Sequence, residues 1–234
     1  MWHFDDILEL IEQALRLENT VLETEQSVRG LDALKETGLH PLIAQAFTSS
    51  SHICLREVYF PSTQKNLPGG NQRDRCDFTL LPAGKKSLFD PVDAHKQLVQ
   101  ARNTLFQGIA TEPEPADDQA APHECLWIET KMISQTRYID GVPVPNSSYS
   151  QDMITGPSED VIKLAADPHI QHAAVLVVVF SAEATTGPHD LNLTVSKMIE
   201  RDLPVRIPEM RTFPIRDIAG NAWCTLGLVP IKLC

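Results

Sequence analysis

Leu126-Trp127-Ile128-Glu129-Thr130-Lys131 is an apolar run that carries two charges, and their spacing constrains how the run can fold. In an extended strand the side chains alternate between faces. Glu129 and Lys131 therefore share a face with Trp127, while Leu126, Ile128 and Thr130 take the other. The run reads as a strand from Cys125 to Ile133. A carboxylate and an ammonium within an apolar strand are costly unless something pairs with them. A short strand before it, Cys76 to Leu81, holds a single acid, Asp77, and is stopped by Pro82 and Gly84. With Asp77 on a neighbouring strand, two carboxylates, waters and a phosphate oxygen match the hard oxygen ligation of Mg²⁺. Lys131 is suited to orient or help deprotonate a water, and to stabilise charge on a phosphate. The alternative is a cross-strand salt bridge of Asp77, Glu129 and Lys131 on a solvated face.

Outward from these strands the pattern is mixed α/β. Ala173 to Phe180 is continuous and β-branched, as in a strand buried on both faces of a helix-covered sheet. Leu8, Ile11, Leu15 and Leu22 recur at helical spacing, predicting an amphipathic helix from Asp5 to about Glu25. Leu31 to Glu36 reads as helical, Gly38 as a break, and Pro41 as the first turn of a further helix to Thr48. Ile53 to Phe60 reads as a strand, Ser62 to Asp74 as a turn-rich loop and Pro91 to Phe106 as a helix. Val142 to Ser150 is rich in turn residues. Ser158 to Asp167 reads as a helix capped by Ser158, followed by a helix Asp190 to Arg201 and strands Met210 to Ile215 and Ala222 to Val229. The expected organisation is an amino-terminal helical extension over residues 1–30 and one α/β domain over 31–234. Residues 107–124, with Pro113, Pro115, Pro122 and several acids, are expected to form a flexible acidic insertion.

The bulk properties narrow the function classes. No run approaches the ~20 apolar residues of a membrane span, and the first residues lack the pattern of a secretory signal. A cytoplasmic protein without a membrane partner is expected. Five dispersed cysteines with no CxxC pair argue against a disulfide framework and a structural zinc site. The net charge of −11 runs against phosphate binding, unless basic residues gather locally.

An Asp on one strand followed by Glu-x-Lys on the next, here Asp77 and Glu129-Thr130-Lys131, resembles the PD-(D/E)XK nuclease superfamily. The resemblance spans roughly Leu31 to Phe180. It implies a restriction-endonuclease-like αβββαβ core with a mixed central β-sheet flanked by helices. It also implies Mg²⁺-dependent phosphodiester cleavage, with Mn²⁺ as a substitute. Asp77, Glu129 and the Thr130 carbonyl would hold the metal, and Lys131 would assist the attacking water. The sequence departs from the family pattern at Cys76, where a proline is usual, and in the long interval between Asp77 and Glu129. The same resemblance suggests Glu36, on the first core helix, as holder of a metal-bound water, and Gln151 as a polar residue toward the cleft. For Glu36 a solvated helix end is an equal reading.

Other residues stay open between two roles. Glu57 can face the cleft or pair with Arg56 or Arg75. His40 reads more readily as a capping or packed histidine than as a ligand. Lys163 can contact a phosphate or be a surface lysine. Lys65, Arg73 and Arg75, in a loop with Gly69 and Gly70, can cradle a nucleic-acid backbone or form an ordinary polar loop. The expected partner is nucleic acid, DNA ahead of RNA. The amino-terminal helix is the place for a protein partner or a second copy to dock. The rival expectation is a catalytically silent module of the same fold. A small-molecule-binding α/β protein is a third, for which there is no glycine-rich phosphate loop.

Overall fold

The computed structural model describes residues 2–50, 52–62, 74–102, 113–139, 142–218 and 220–233. Its strands are β1 (Cys54–Tyr59), β2 (Arg75–Leu80), β3 (Ser87–Leu88), β4 (Gln119–Ala120), β5 (Leu126–Ser134), β6 (Thr136–Ile139), β7 (Val142–Pro145), β8 (His172–Ser181), β9 (Glu209–Pro214) and β10 (Trp223–Pro230). Its helices are α1 (Phe4–Thr24), α2 (Glu36–Ser49), α3 (Pro91–Arg102), α4 (Tyr149–Ala165) and α5 (Thr186–Glu200). Six strands form a mixed sheet in the order β1-β2-β5-β8-β10-β9. Within this sheet only the β5–β8 pair is parallel, and α4 lies in the connection between those two strands. Among the described residues no helix is long and apolar enough to cross a membrane.

Each face of the sheet is closed by a helical pair. Leu8, Ile11 and Leu15 of α1 and Ile43 and Phe47 of α2 pack on Phe78, Ile128 and Leu176. Leu164 of α4 and Leu191 and Met198 of α5 pack on Trp127, Val175 and Val177. This double covering explains why nearly every residue of β8 is buried, as its unbroken apolar run requires. Close approach of α5 to β10 depends on two glycines. A Cβ at Gly227 would lie 2.8 Å from Leu191 Cδ1, and one at Gly187 would lie 2.3 Å from Thr225 Oγ1.

Several boundaries differ from the sequence reading. The helix expected from Pro41 begins at Glu36 and passes through both Gly38 and Pro41. The helix expected from Ser158 begins at Tyr149, so Ser158 is a buried interior residue and not a cap. Gly156 and Pro157 look like breakers but serve packing: Pro157 is buried, and Gly156 leaves room for the Lys131 side chain, which a Cβ there would approach to 3.2 Å. The turn-rich stretch after β5 contains β7, which pairs with β6 as a hairpin. The helix α1 is an integral layer of the domain and not an appendage, since Ile7, Leu8, Ile11 and Leu15 are all buried in its core.

The expected flexible insertion over 107–124 is corrected for its second part; residues 107–112 lie outside the described residues. β4 pairs with β3, Ala120 and Pro122 are buried, and the Pro122 carbonyl accepts the Trp127 indole N–H at 2.9 Å. Those small and proline residues fill space under Trp127, which a count of large apolar residues misses. Cys54, Cys76, Cys125 and Cys224 are free thiols, and Cys234 lies outside the described residues.

Candidate active site

The centre of the site is a place where two strands part. Pairing of β2 with β5 runs from Leu80–Leu126 to Phe78–Ile128 and goes no further, while β5 continues beside β8 to Ser134. Backbone N–H groups of β5 beyond Ile128 then need acceptors other than a strand. Two carboxylates supply them. Asp77 Oδ2 accepts the Thr130 N–H at 2.7 Å, and Glu36 Oε2, from the first residue of α2, accepts the Met132 N–H at 3.0 Å.

On the α2 side, His40, Glu57 and Asp77 converge, with one potential ligand atom from each lying within 4.8 Å of the others. His40 stands one helical turn after Glu36, on the same face of α2. Its ring packs edge-on against Phe78 at 5.1 Å, and its Nε2 is 4.0 Å from Asp77 Oδ2. That nitrogen is buried without a hydrogen-bond partner among the described residues. Glu57 reaches the group through an unusual backbone: its φ of 53° is left-handed within a β-strand, where the β1–β2 register lapses between the Arg56–Phe78 and Val58–Cys76 pairs.

On the α4 side the charges are paired. Glu129 Oε1 accepts Lys163 Nζ at 2.7 Å, and Lys131 Nζ lies 3.0 Å from Asp160 Oδ2. Lys163 also donates to the Arg75 carbonyl at 3.2 Å and sits 4.7 Å above the Phe60 ring. Burial, with help from the Asp77 charge and against the pull of Lys163, lifts the Glu129 carboxyl from its ordinary 4.5 to about 8. Burial raises Asp160 as well, despite Lys131. For Lys131, burial disfavours the ammonium, but Asp160, Glu36 and Glu129 outweigh it and the net direction is upward. In all, five carboxylates (Glu36, Glu57, Asp77, Glu129, Asp160) surround two ammonium groups (Lys131, Lys163) and one imidazole.

The structure thus gathers Asp77, Glu129, Lys131, Glu36, Glu57 and Lys163, but with altered roles. Glu129 is held by Lys163 and does not join the His40–Glu57–Asp77 group. The Thr130 carbonyl accepts a long bond from Lys131 Nζ, at 3.4 Å. Lys163 is turned inward onto Glu129. Gln151 is exposed on the first turn of α4 and makes no side-chain bond to the cluster among the described residues. Arg75 stacks on Tyr59 at 4.5 Å, and Lys65 and Arg73 lie outside the described residues. His40 and Asp160 were missed as site residues. Their signals were helical spacing: His40 four residues after Glu36, and Asp160 three before Lys163.

No family model, no curated protein and no solved structure matches the chain.

Proposed function

We propose that the chain is a divalent-metal-dependent nuclease hydrolysing phosphodiester bonds, DNA ahead of RNA, with the cation held by His40, Glu57 and Asp77. One observation carries this reading: a buried imidazole nitrogen without a partner faces two carboxylates that form no ion pair with a lysine among the described residues. Of the three only His40 is buried, so the unfavourable group is its partnerless nitrogen beside two like charges, and one divalent cation would satisfy both. The order α2-β1-β2-β5-α4-β8, with β3, α3 and β4 inserted after β2 and the β6–β7 pair after β5, is compatible with the resemblance to the PD-(D/E)XK superfamily. The donor set fits Mg²⁺ or Mn²⁺, and its single imidazole favours Mn²⁺ of the two.

A cation there would supply Lewis acidity toward a phosphoryl oxygen. The protein side chains supply the rest. Glu129, raised to about 8, exchanges a proton close to neutral pH and is suited to take one from water. Lys131 is suited to stabilise negative charge on a phosphate. Calorimetric titration with Mn²⁺, and cleavage of plasmid and labelled oligonucleotides, test the reading. Binding that is lost in Asp77→Asn and His40→Gln is expected.

A second reading, a silent module of the same fold, rests on a different observation. Asp77 and Glu36 already serve as acceptors for β5, and both lysines are paired. Absence of both metal binding and cleavage in the wild-type chain would select it.

A further inference from the structure

We propose that a single-stranded nucleic acid reaches the Asp77 centre along a groove beside β1, where Arg56 and Lys86 hold its phosphates and Tyr59 stacks a base. The substrate class deepens the nuclease reading and rests on it for chemistry, though not for binding. A cavity of about 400 Å³ lies between β1 and residues 86–91, and its lining includes Arg56, Glu57, Tyr59, Lys86 and Phe89. Glu57 is the link, because it both lines this cavity and belongs to the His40–Glu57–Asp77 group. A ligand filling the groove would therefore abut the candidate metal site.

The lining suits an unpaired strand. The volume lies at the small end of the ~300–1,000 Å³ typical of ligand pockets, enough for a nucleotide-sized group and not for a duplex. Arg56 and Lys86 are exposed, and neither makes an ion pair among the described residues, in a chain whose net charge is −11. Tyr59 is 40% exposed, and Arg75 holds it in place by covering the ring at 4.5 Å and donating to its hydroxyl at 2.8 Å. A fixed aromatic ring beside cations is how proteins hold single strands without reading their sequence. Asp90 also lines the groove, but its carboxylate accepts the Val92 and Asp93 N–H groups at 2.9 and 3.2 Å, at the start of α3.

The test is fluorescence anisotropy with the full chain in chelator at low salt, using labelled oligo(dT), oligo(rU) and a duplex. Wild type should bind a single strand at least about tenfold more tightly than duplex. The double variant Arg56→Glu/Lys86→Glu should weaken binding at least about tenfold, and lower the salt slope by ~1.4 for two lost phosphate contacts. Tyr59→Ala should weaken it about tenfold, and Tyr59→Phe should restore it. If the charge reversals unfold the chain, Arg56→Gln/Lys86→Gln replaces them with the same expected direction. Preference for oligo(rU) would identify the strand as RNA and support the groove equally. Equal binding of duplex, no binding by wild type, or indifference to all these substitutions would overturn the proposal. Hydrolysis of bis(p-nitrophenyl) phosphate by wild type with Mn²⁺ reads the metal centre separately. Hydrolysis without the binding pattern removes the groove alone; the binding pattern with neither hydrolysis nor metal affinity removes the nuclease reading alone.

Discussion

The two flanks of β5 handle charge in opposite ways. On the α4 flank, Glu129 meets Lys163 and Asp160 meets Lys131, one ammonium for each carboxylate. On the α2 flank, Glu57 and Asp77 meet an imidazole with a bare nitrogen. Atoms without a hydrogen-bond partner among the described residues occur on both flanks, Asp160 Oδ2 and Ser158 Oγ among them, and each costs about 1–3 kcal/mol, but only the His40 nitrogen faces two carboxylates with no ammonium between them. Under the proposed function, the difference separates groups that hold the fold from groups that would hold a cation.

Activity should show the largest effect. Asp77→Asn is expected to abolish both Mn²⁺ binding and cleavage, because it removes a candidate ligand from the incomplete flank. Lys131→Ala should lower cleavage by about 10²–10³-fold, the usual scale for a lost charge-stabilising donor, and leave Mn²⁺ affinity in place. Calorimetry and oligonucleotide cleavage on the same samples separate the two. If Lys131→Ala loses metal binding as well, the flanks are not functionally distinct.

Stability gives the next effect, on the paired flank. Lys163→Ala leaves Glu129, only 3% exposed, without its cation. At pH 9, where Glu129 is ionised in the wild type but must take up a proton or stand unpaired in the variant, the loss should be about 3 kcal/mol by urea denaturation. At pH 6 the carboxyl holds a proton, since its folded value is about 8, and the loss should be much smaller. A loss independent of pH would mean that Lys163 acts through packing on Phe60 instead.

Glu129 itself should impose a pH dependence of known sign. Its folded value, about 8, stands above the ordinary 4.5. Between those values the folded state binds the extra proton, so stability must fall as pH rises, by at most about 1.4 kcal/mol per pH unit. Below 4.5 and above about 8 the term is flat. In metal-free buffer the difference in melting temperature between wild type and Glu129→Gln should therefore change across this window. A constant difference from pH 5 to 8 would contradict the raised value.

The paired flank was largely legible in the sequence, and the incomplete one was not. Alternation placed Glu129, Lys131 and Trp127 on one face, and the apolar run of β8 implied a sheet covered on both sides. Neither inference needed information beyond nearest neighbours. The partners Asp160 and Lys163 lie within the expected helix Ser158 to Asp167, although its true start at Tyr149 was hidden by Gly156 and Pro157. His40 looked like packing because Gly38 and Pro41 obscured the helix that carries it. Both failures have one cause: residues that disfavour a helix locally are kept where tertiary packing uses their shape. The parting of β2 from β5 leaves no trace in composition or periodicity.

Glu57 offers the smallest effect and the sharpest comparison. Its left-handed backbone, at φ 53°, costs a non-glycine residue roughly 1–3 kcal/mol, and the side chain is exposed, so packing does not repay it. Glycine adopts this conformation freely, although it also loses more entropy on folding. Glu57→Gly should therefore stabilise the metal-free chain by about 1 kcal/mol, read from urea midpoints, and at the same time weaken Mn²⁺ binding. Glu57→Gln keeps the backbone strain and removes only the charge. It should weaken Mn²⁺ binding with little gain in stability. Opposite signs in the glycine variant would mean that strain is maintained at Glu57 to present a carboxylate beside Asp77 and His40. A glycine variant that is destabilised, with unchanged Mn²⁺ affinity, would assign the conformation to the strand edge and remove Glu57 from the metal group.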